Sequence, residues 1–154
     1  MLSDAEAVEI EAEVRRHVLP RAGCVEALRV VQRHRGWVPD EQIRDVAKAL
    51  DMTPDELDAI ATFYPFIFRK PVGRHIIALC DGLACWAMGY EGLFEALVER
   101  LGVSWGETTQ DGRFTLLPVS CIGQCARGPA MMVDEDVYGD LTSGQIGQIL
   151  EQYR

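Results

Sequence analysis

The chain has 154 residues, with 15 Lys+Arg against 24 Asp+Glu and a formal net charge of −9. That length fits one domain or two small ones, and a hydrophobic share of 48% is enough for a packed core rather than a disordered chain. The acidic balance excludes the basic stripe that nucleic-acid phosphate requires and argues against an anionic membrane surface. No apolar run approaches the roughly 20 residues of a bilayer-crossing helix. Met1-Leu-Ser-Asp-Ala-Glu6 lacks the basic start and apolar centre of a secretory signal. A cytosolic or matrix-like reducing compartment is therefore expected, where cysteines serve as metal ligands or catalysts more often than as disulfides.

Residues 1–71 read as a small helical bundle. Ser3 and Glu6 form a capping box, followed by Ala7, Ile10, Val14 and Val18 at helical spacing, with Pro20 as the stop. A second helix starts near Gly23, with Cys24, Leu28 and Val31 on its apolar stripe, Ala27 and Val30 beside it, and Gly36 as its cap. A third runs from Pro39 to Leu50 with Ile43, Val46 and Ala47 on one face. Thr53-Pro-Asp-Glu56 opens a fourth, continued by Leu57, Ile60, Ala61 and Tyr64.

Residues 72–154 change period. Ile76-Ile-Ala-Leu79 is a short continuous apolar run, the pattern of a strand buried on both faces, and it ends in Cys80. Leu93, Phe94, Leu97, Val98 and Leu101 mark an amphipathic helix closed by Gly102. Asp111-Gly112 signals a hairpin between 105–109 and 113–117, the first arm being weak enough to be loop. Ala130–Val133 and Val137–Leu141 read as two strands around an acidic turn at 134–136. Thr142 and Gln145 cap a last helix carrying Ile146, Ile149, Leu150 and Tyr153. The order β-α-β-β-β-α is that of a small mixed sheet covered by helices, close to a thioredoxin-like arrangement, and the chain as a whole is α+β.

Of the five cysteines, four form two spaced pairs: Cys80/Cys85 as C-x4-C and Cys121/Cys125 as C-x3-C. Each pair follows a strand. Burying four thiolates without a cation is prohibitive, so a convergent quartet implies metal. Gly82, Gly123 and Gly128 let the backbone close around such a centre and offer N–H groups to sulfur. Three readings stay open on spacing alone. A [2Fe–2S] cluster tolerates the unequal spacings and is favoured; a structural zinc site and a redox dithiol follow, the latter lacking C-x2-C.

Other residues carry plainer expectations. Cys24 reads as a core cysteine, and His17 and His34 as solvated. His75 has no motif partner and reads as a strand-edge or interface residue. Trp86 is balanced between shielding the centre and ordinary packing, and Arg127 between a partner contact and a solvated side chain. Met131 and Met132 read as strand core; the 134–136 turn lacks the ligand pattern of a calcium loop. No residue reads as a catalytic acid, base or nucleophile. Neither a G-x-G-x-x-G turn nor a P-loop occurs.

Residues 23–154 resemble the E subunit family of bacterial NADH:quinone oxidoreductase, respiratory complex I. The resemblance lies in Ala61-Thr-Phe-Tyr64 with Pro71-Val-Gly-Arg-His75, in Cys80/Cys85, in Asp111-Gly-Arg-Phe-Thr-Leu116, in Cys121-Ile-Gly-Gln-Cys125 with Gly128-Pro129, and in Tyr138 through Thr142. It implies a helical bundle over 1–71 followed by a thioredoxin-like [2Fe–2S] ferredoxin domain over 72–154, with Cys80, Cys85, Cys121 and Cys125 as both cluster-binding and metal-ligating residues. It implies one cluster here and FMN and NADH on a partner, the flavin- and NADH-binding F-type subunit, through which the chain joins the peripheral arm. The cluster is then expected beside the flavin, on the side away from the main cluster chain, holding an electron transiently. The expected location is cytoplasmic, attached peripherally to the inner membrane through the complex, with no direct insertion. Related subunits of NAD-linked formate dehydrogenases and NAD-reducing hydrogenases are the alternative holoenzymes, although Ile67–His75 looks more like the respiratory branch.

Overall fold

A computed structural model describes all 154 residues, which divide into two compact units, Met1–Pro71 and Val72–Arg154.

In the first unit, α1 (Asp4–Val14) begins at the Ser3–Glu6 capping box: the Glu6 amide donates to Ser3 Oγ at 3.3 Å and the Ser3 amide to Glu6 Oε2 at 2.7 Å. The helix stops at Val14, earlier than the apolar spacing suggests, and Val18 is fully exposed. Pro20 pushes Leu19 into extended backbone and opens a 3₁₀ turn, Pro20–Gly23. Helix α2 (Cys24–Arg35) ends on left-handed Gly36, whose amide caps Gln32 O at 2.7 Å. In α3 (Asp40–Ala49) Pro39 is the N-cap rather than the first helical residue. Helix α4 (Pro54–Phe63) has the Thr53–Glu56 capping box and Pro54 in its first turn, but Tyr64 caps it in extended backbone and is exposed instead of extending the stripe.

Ile10, Ala27, Leu28, Val31, Ile43, Val46, Leu50, Leu57 and Ala61 make one core, with half-buried Cys24 against it. Glu6 is the buried charge. Arg35 donates to it through Nε at 2.5 Å and Nη2 at 2.7 Å, and these bonds hold its carboxyl down to about 2.

In the second unit, β1 (His75–Cys80) is followed by a short helix α5 (Leu83–Ala87), by α6 (Tyr90–Leu101) and by β2 (Phe114–Val119). Strands β3 (Met131–Val133) and β4 (Asp136–Tyr138) form a hairpin, and α7 (Ile146–Leu150) closes the chain behind the Thr142–Gln145 capping box. The sheet order is β2-β1-β3-β4, with β1 parallel to β2 and antiparallel to β3. The first arm of the expected 105–117 hairpin is largely loop, joined to β2 by one bridge, Thr108 to Thr115.

Alternation on β1 sorts the two faces. Ile77 and Leu79 join Leu116, Met131 and Val133 against Leu93 and Leu97 of α6 and Ile146, Ile149 and Leu150 of α7. Ala78 and Cys80 point the other way and cluster with Cys85, Val119 and Ala130. Helices α6 and α7 thus lie on one face of the sheet. No helix of either unit is long and apolar enough to cross a membrane.

Candidate metal centre

Topology brings the cysteines together. Because β1 and β2 are parallel neighbours in register, with Cys80 opposite Val119, their carboxyl ends coincide. Cys80 ends β1, and Cys121 lies two residues past the end of β2. Strand β3 is antiparallel and enters at the same end, where the Cys80 amide donates to Ala130 O at 3.1 Å. The segment carrying Cys125 therefore arrives beside Cys80. Cys85 sits in α5, which starts three residues after β1.

The two pairs differ in burial. Cys80 and Cys85 are each 2% exposed, whereas Cys121 and Cys125 are exposed, with their sulfurs 3.9 Å apart. Burial pushes the Cys85 thiol up, helped by a hydrogen bond with Cys80. The Cys125 thiol is pushed up by its hydrogen bond to Cys121 and then by the charge there. The Gly123 amide, on left-handed backbone, donates to Cys121 Sγ at 3.3 Å. Glycine at 82 and 128 serves close approach. A Cβ on Gly82 would overlap the Ser120 carbonyl oxygen, and one on Gly128 would lie 2.8 Å from Met88 Sδ and 3.4 Å from Cys85 Sγ. Spacing signals the glycines; nothing local signals Ser120 or Met88.

The donor set fits iron–sulfur chemistry. The thiols come as two pairs, Cys80 with Cys85 and Cys121 with Cys125, each pair close enough to share a hydrogen bond. Four such thiols would suit a [2Fe–2S] cluster, to which they would supply thiolate ligands. Like charges crowded within each pair are what a cationic centre relieves.

Neighbouring residues resolve the plainer expectations. Trp86 is 55% exposed. Arg127 forms an exposed ion pair with Asp140 at 2.7 Å. Met131 is core and Met132 is half-buried. His75 does have a carboxylate partner: its Nδ1 lies 2.7 Å from Asp134 Oδ2, across 59 residues. His34 likewise meets Glu9 at 2.9 Å. The surface cavity between α6, α7 and the 109–113 turn has a volume of about 520 Å³. Its arginines are already engaged: Arg100 meets Glu151, and Arg113 donates to the Leu150 and Tyr153 carbonyls.

A strand-terminal thiol quartet on a four-stranded mixed sheet is the design of a thioredoxin-like iron–sulfur protein. Residues 10–154 match the family model of the thioredoxin-like [2Fe-2S] ferredoxins, and the chain belongs to that family and carries one [2Fe–2S] cluster. It is 48% identical over 153 residues to the E subunit of NADH-quinone oxidoreductase from Escherichia coli, covering 99% of this chain and 92% of that one. It is 44% identical, over the same shares, to the protein of that name from Pseudomonas aeruginosa. A crystal structure of an NAD+-reducing [NiFe]-hydrogenase in the air-oxidised state aligns with a TM-score of 0.71 at 24% identity, over 85% of this chain and 22% of that one, which shows the shared fold.

Proposed function

We propose that the chain is the E-type electron-transfer subunit of an NADH:quinone oxidoreductase, with Cys80, Cys85, Cys121 and Cys125 as the four ligands of its cluster. The observation that carries the ligand set is the convergence of both pairs on the carboxyl end of β1. When bound, the cluster supplies a one-electron acceptor. The chain's own residues do the rest. Cys80 and Cys85 hold the buried side, Cys121 and Cys125 the exposed side, and the Gly123 amide stabilises negative charge on Cys121. Because Cys121 and Cys125 are the exposed pair, the side they occupy is the one open to an electron donor.

Hydride chemistry needs a flavin or nicotinamide site. The sequence has no glycine-rich dinucleotide turn, which supports placing NADH and FMN on an F-type partner subunit. The chain then contributes ligation and docking to the oxidoreductase, on the cytoplasmic face of the inner membrane. Relatives at 44–48% identity bear the quinone-oxidoreductase name, and the hydrogenase likeness extends to fold alone, so the respiratory reading is preferred. Anaerobic affinity purification from the native source tests it. Co-purification of an FMN protein with NADH–quinone reductase activity is the expected result; a hydrogenase or formate dehydrogenase in its place overturns the assignment.

A further inference from the structure

The four thiols are unequal in a way that bears on how the chain obtains its cluster. Cys80 and Cys85 are each 2% exposed, while Cys121 and Cys125 are exposed. The segment that carries the exposed pair lies against the buried one. The Ser120 carbonyl oxygen is 3.9 Å from Cys80 Sγ, and the Cβ direction of Gly128 ends 3.4 Å from Cys85 Sγ. Ser120 and Gly128 flank residues 121–127. The buried thiols are thus far less open to a reactant in solvent than Cys121 and Cys125.

The exposed pair is also set for chelation. Two thiolates each about 2.3 Å from one metal at a tetrahedral angle lie roughly 3.8 Å apart, and Cys121 and Cys125 have their sulfurs at 3.9 Å. Gly123 keeps that spacing: its left-handed backbone turns the chain between them, and its amide bonds Cys121 Sγ.

Resting on the ligand set proposed above, we infer that Cys121 and Cys125 receive the cluster and that Cys80 and Cys85 complete its ligation afterwards. The supplying reaction is thiolate exchange with a donor that holds a [2Fe–2S] unit through its own thiolates. Cys121 and Cys125 give up their protons and form two iron–sulfur bonds as two bonds to donor thiolates break, the departing thiolates taking those protons. Cys80 and Cys85 then repeat the exchange for the remaining two. No electron is transferred, and no further reactant is needed. A bimolecular exchange requires thiols that can reach iron still held by the donor, and only the exposed pair meets that requirement.

The test uses the full chain, freed of metal under anaerobic conditions, mixed with the tetraglutathione [2Fe–2S] complex and followed by stopped-flow visible absorbance and circular dichroism. Wild type should show a capture phase whose rate rises with chain concentration, then a concentration-independent phase. Cys121→Ser/Cys125→Ser should slow capture at least tenfold. Cys80→Ser/Cys85→Ser should capture within twofold of wild type but lack the second phase and lose its iron readily to a chelator. Cys80→Ala/Cys85→Ala repeats the inner-pair measurement should the serine form fail to fold by far-UV circular dichroism. Capture slowed equally by both pairs, or more by the inner pair, overturns the order of ligation. The ligand set fails separately: a double variant that ends with the wild-type EPR spectrum and sulfide content removes its residues from the ligands, whatever its rate.

Discussion

Gly82 lies so close to the carbonyl oxygen of Ser120 that no Cβ fits between them. The contact ties the turn after β1 to the residue just past β2, beside Cys80 Sγ. Gly82→Ala forces backbone apart and should destabilise the second unit by about 1–3 kcal/mol, the usual range for overpacking. Gly128→Ala meets mainly the flexible Met88 thioether and should cost less. Thermal unfolding with cluster absorbance on the same samples checks the ranking; equal stability of Gly82→Ala and wild type would rule out the tight contact.

Glu6 and Arg35 give the first unit a defined acid response. The Glu6 carboxyl is held at about 2, below its usual 4.5, by the Arg35 guanidinium. Its contribution is full above about pH 4.5 and disappears as pH falls towards 2. Glu6→Gln should lower stability at pH 7 by about 2 kcal/mol, the scale of a hydrogen bond to a charged group, and make little difference near pH 2. Urea unfolding of both proteins across that range measures the convergence.

Cys24 packs against the helical core of the first unit, whereas the paired cysteines belong to the second. Cys24→Ala should therefore leave the EPR spectrum unchanged and cost about 1–2 kcal/mol in packing. A lost or altered signal would make Cys24 a ligand.

Asp134 anchors the start of β1. Its Oδ2 meets His75 Nδ1 at 2.7 Å, and its Oδ1 accepts from the Ile76 amide at 2.9 Å. Asp134→Ala should destabilise the chain by about 1 kcal/mol without changing cluster content, since His75 and Cys80 stand at opposite ends of β1. Iron analysis beside a denaturation curve separates the two effects.

Local signals are the legible ones. The capping boxes at Ser3, Thr53 and Thr142 and the glycine caps at 36 and 102 lie within a few residues of the helices they delimit. What stays hidden in the sequence depends mostly on contact between distant segments. His75 looks partnerless there because Asp134 is 59 residues away. The end of α1 also differs: apolar spacing carries the helix to Val18, but it ends at Val14 and Val18 is exposed. The pairing of the cysteines can be read from their spacing. Which pair is buried cannot, because Ser120 and Gly128 lie against Cys80 and Cys85 only once β2 and β3 flank β1.

That these four thiols hold a two-iron cluster is tested most directly by iron, zinc and acid-labile sulfide analysis with EPR after dithionite reduction. The samples are wild type purified anaerobically and single serine variants at Cys80, Cys85, Cys121 and Cys125. The expected result is equal iron and sulfide in a coloured wild type, the signal of one unpaired electron on reduction, and a shifted or abolished signal in all four variants. A colourless chain with stoichiometric zinc and no sulfide would contradict it, as would a wild-type spectrum from any of the four.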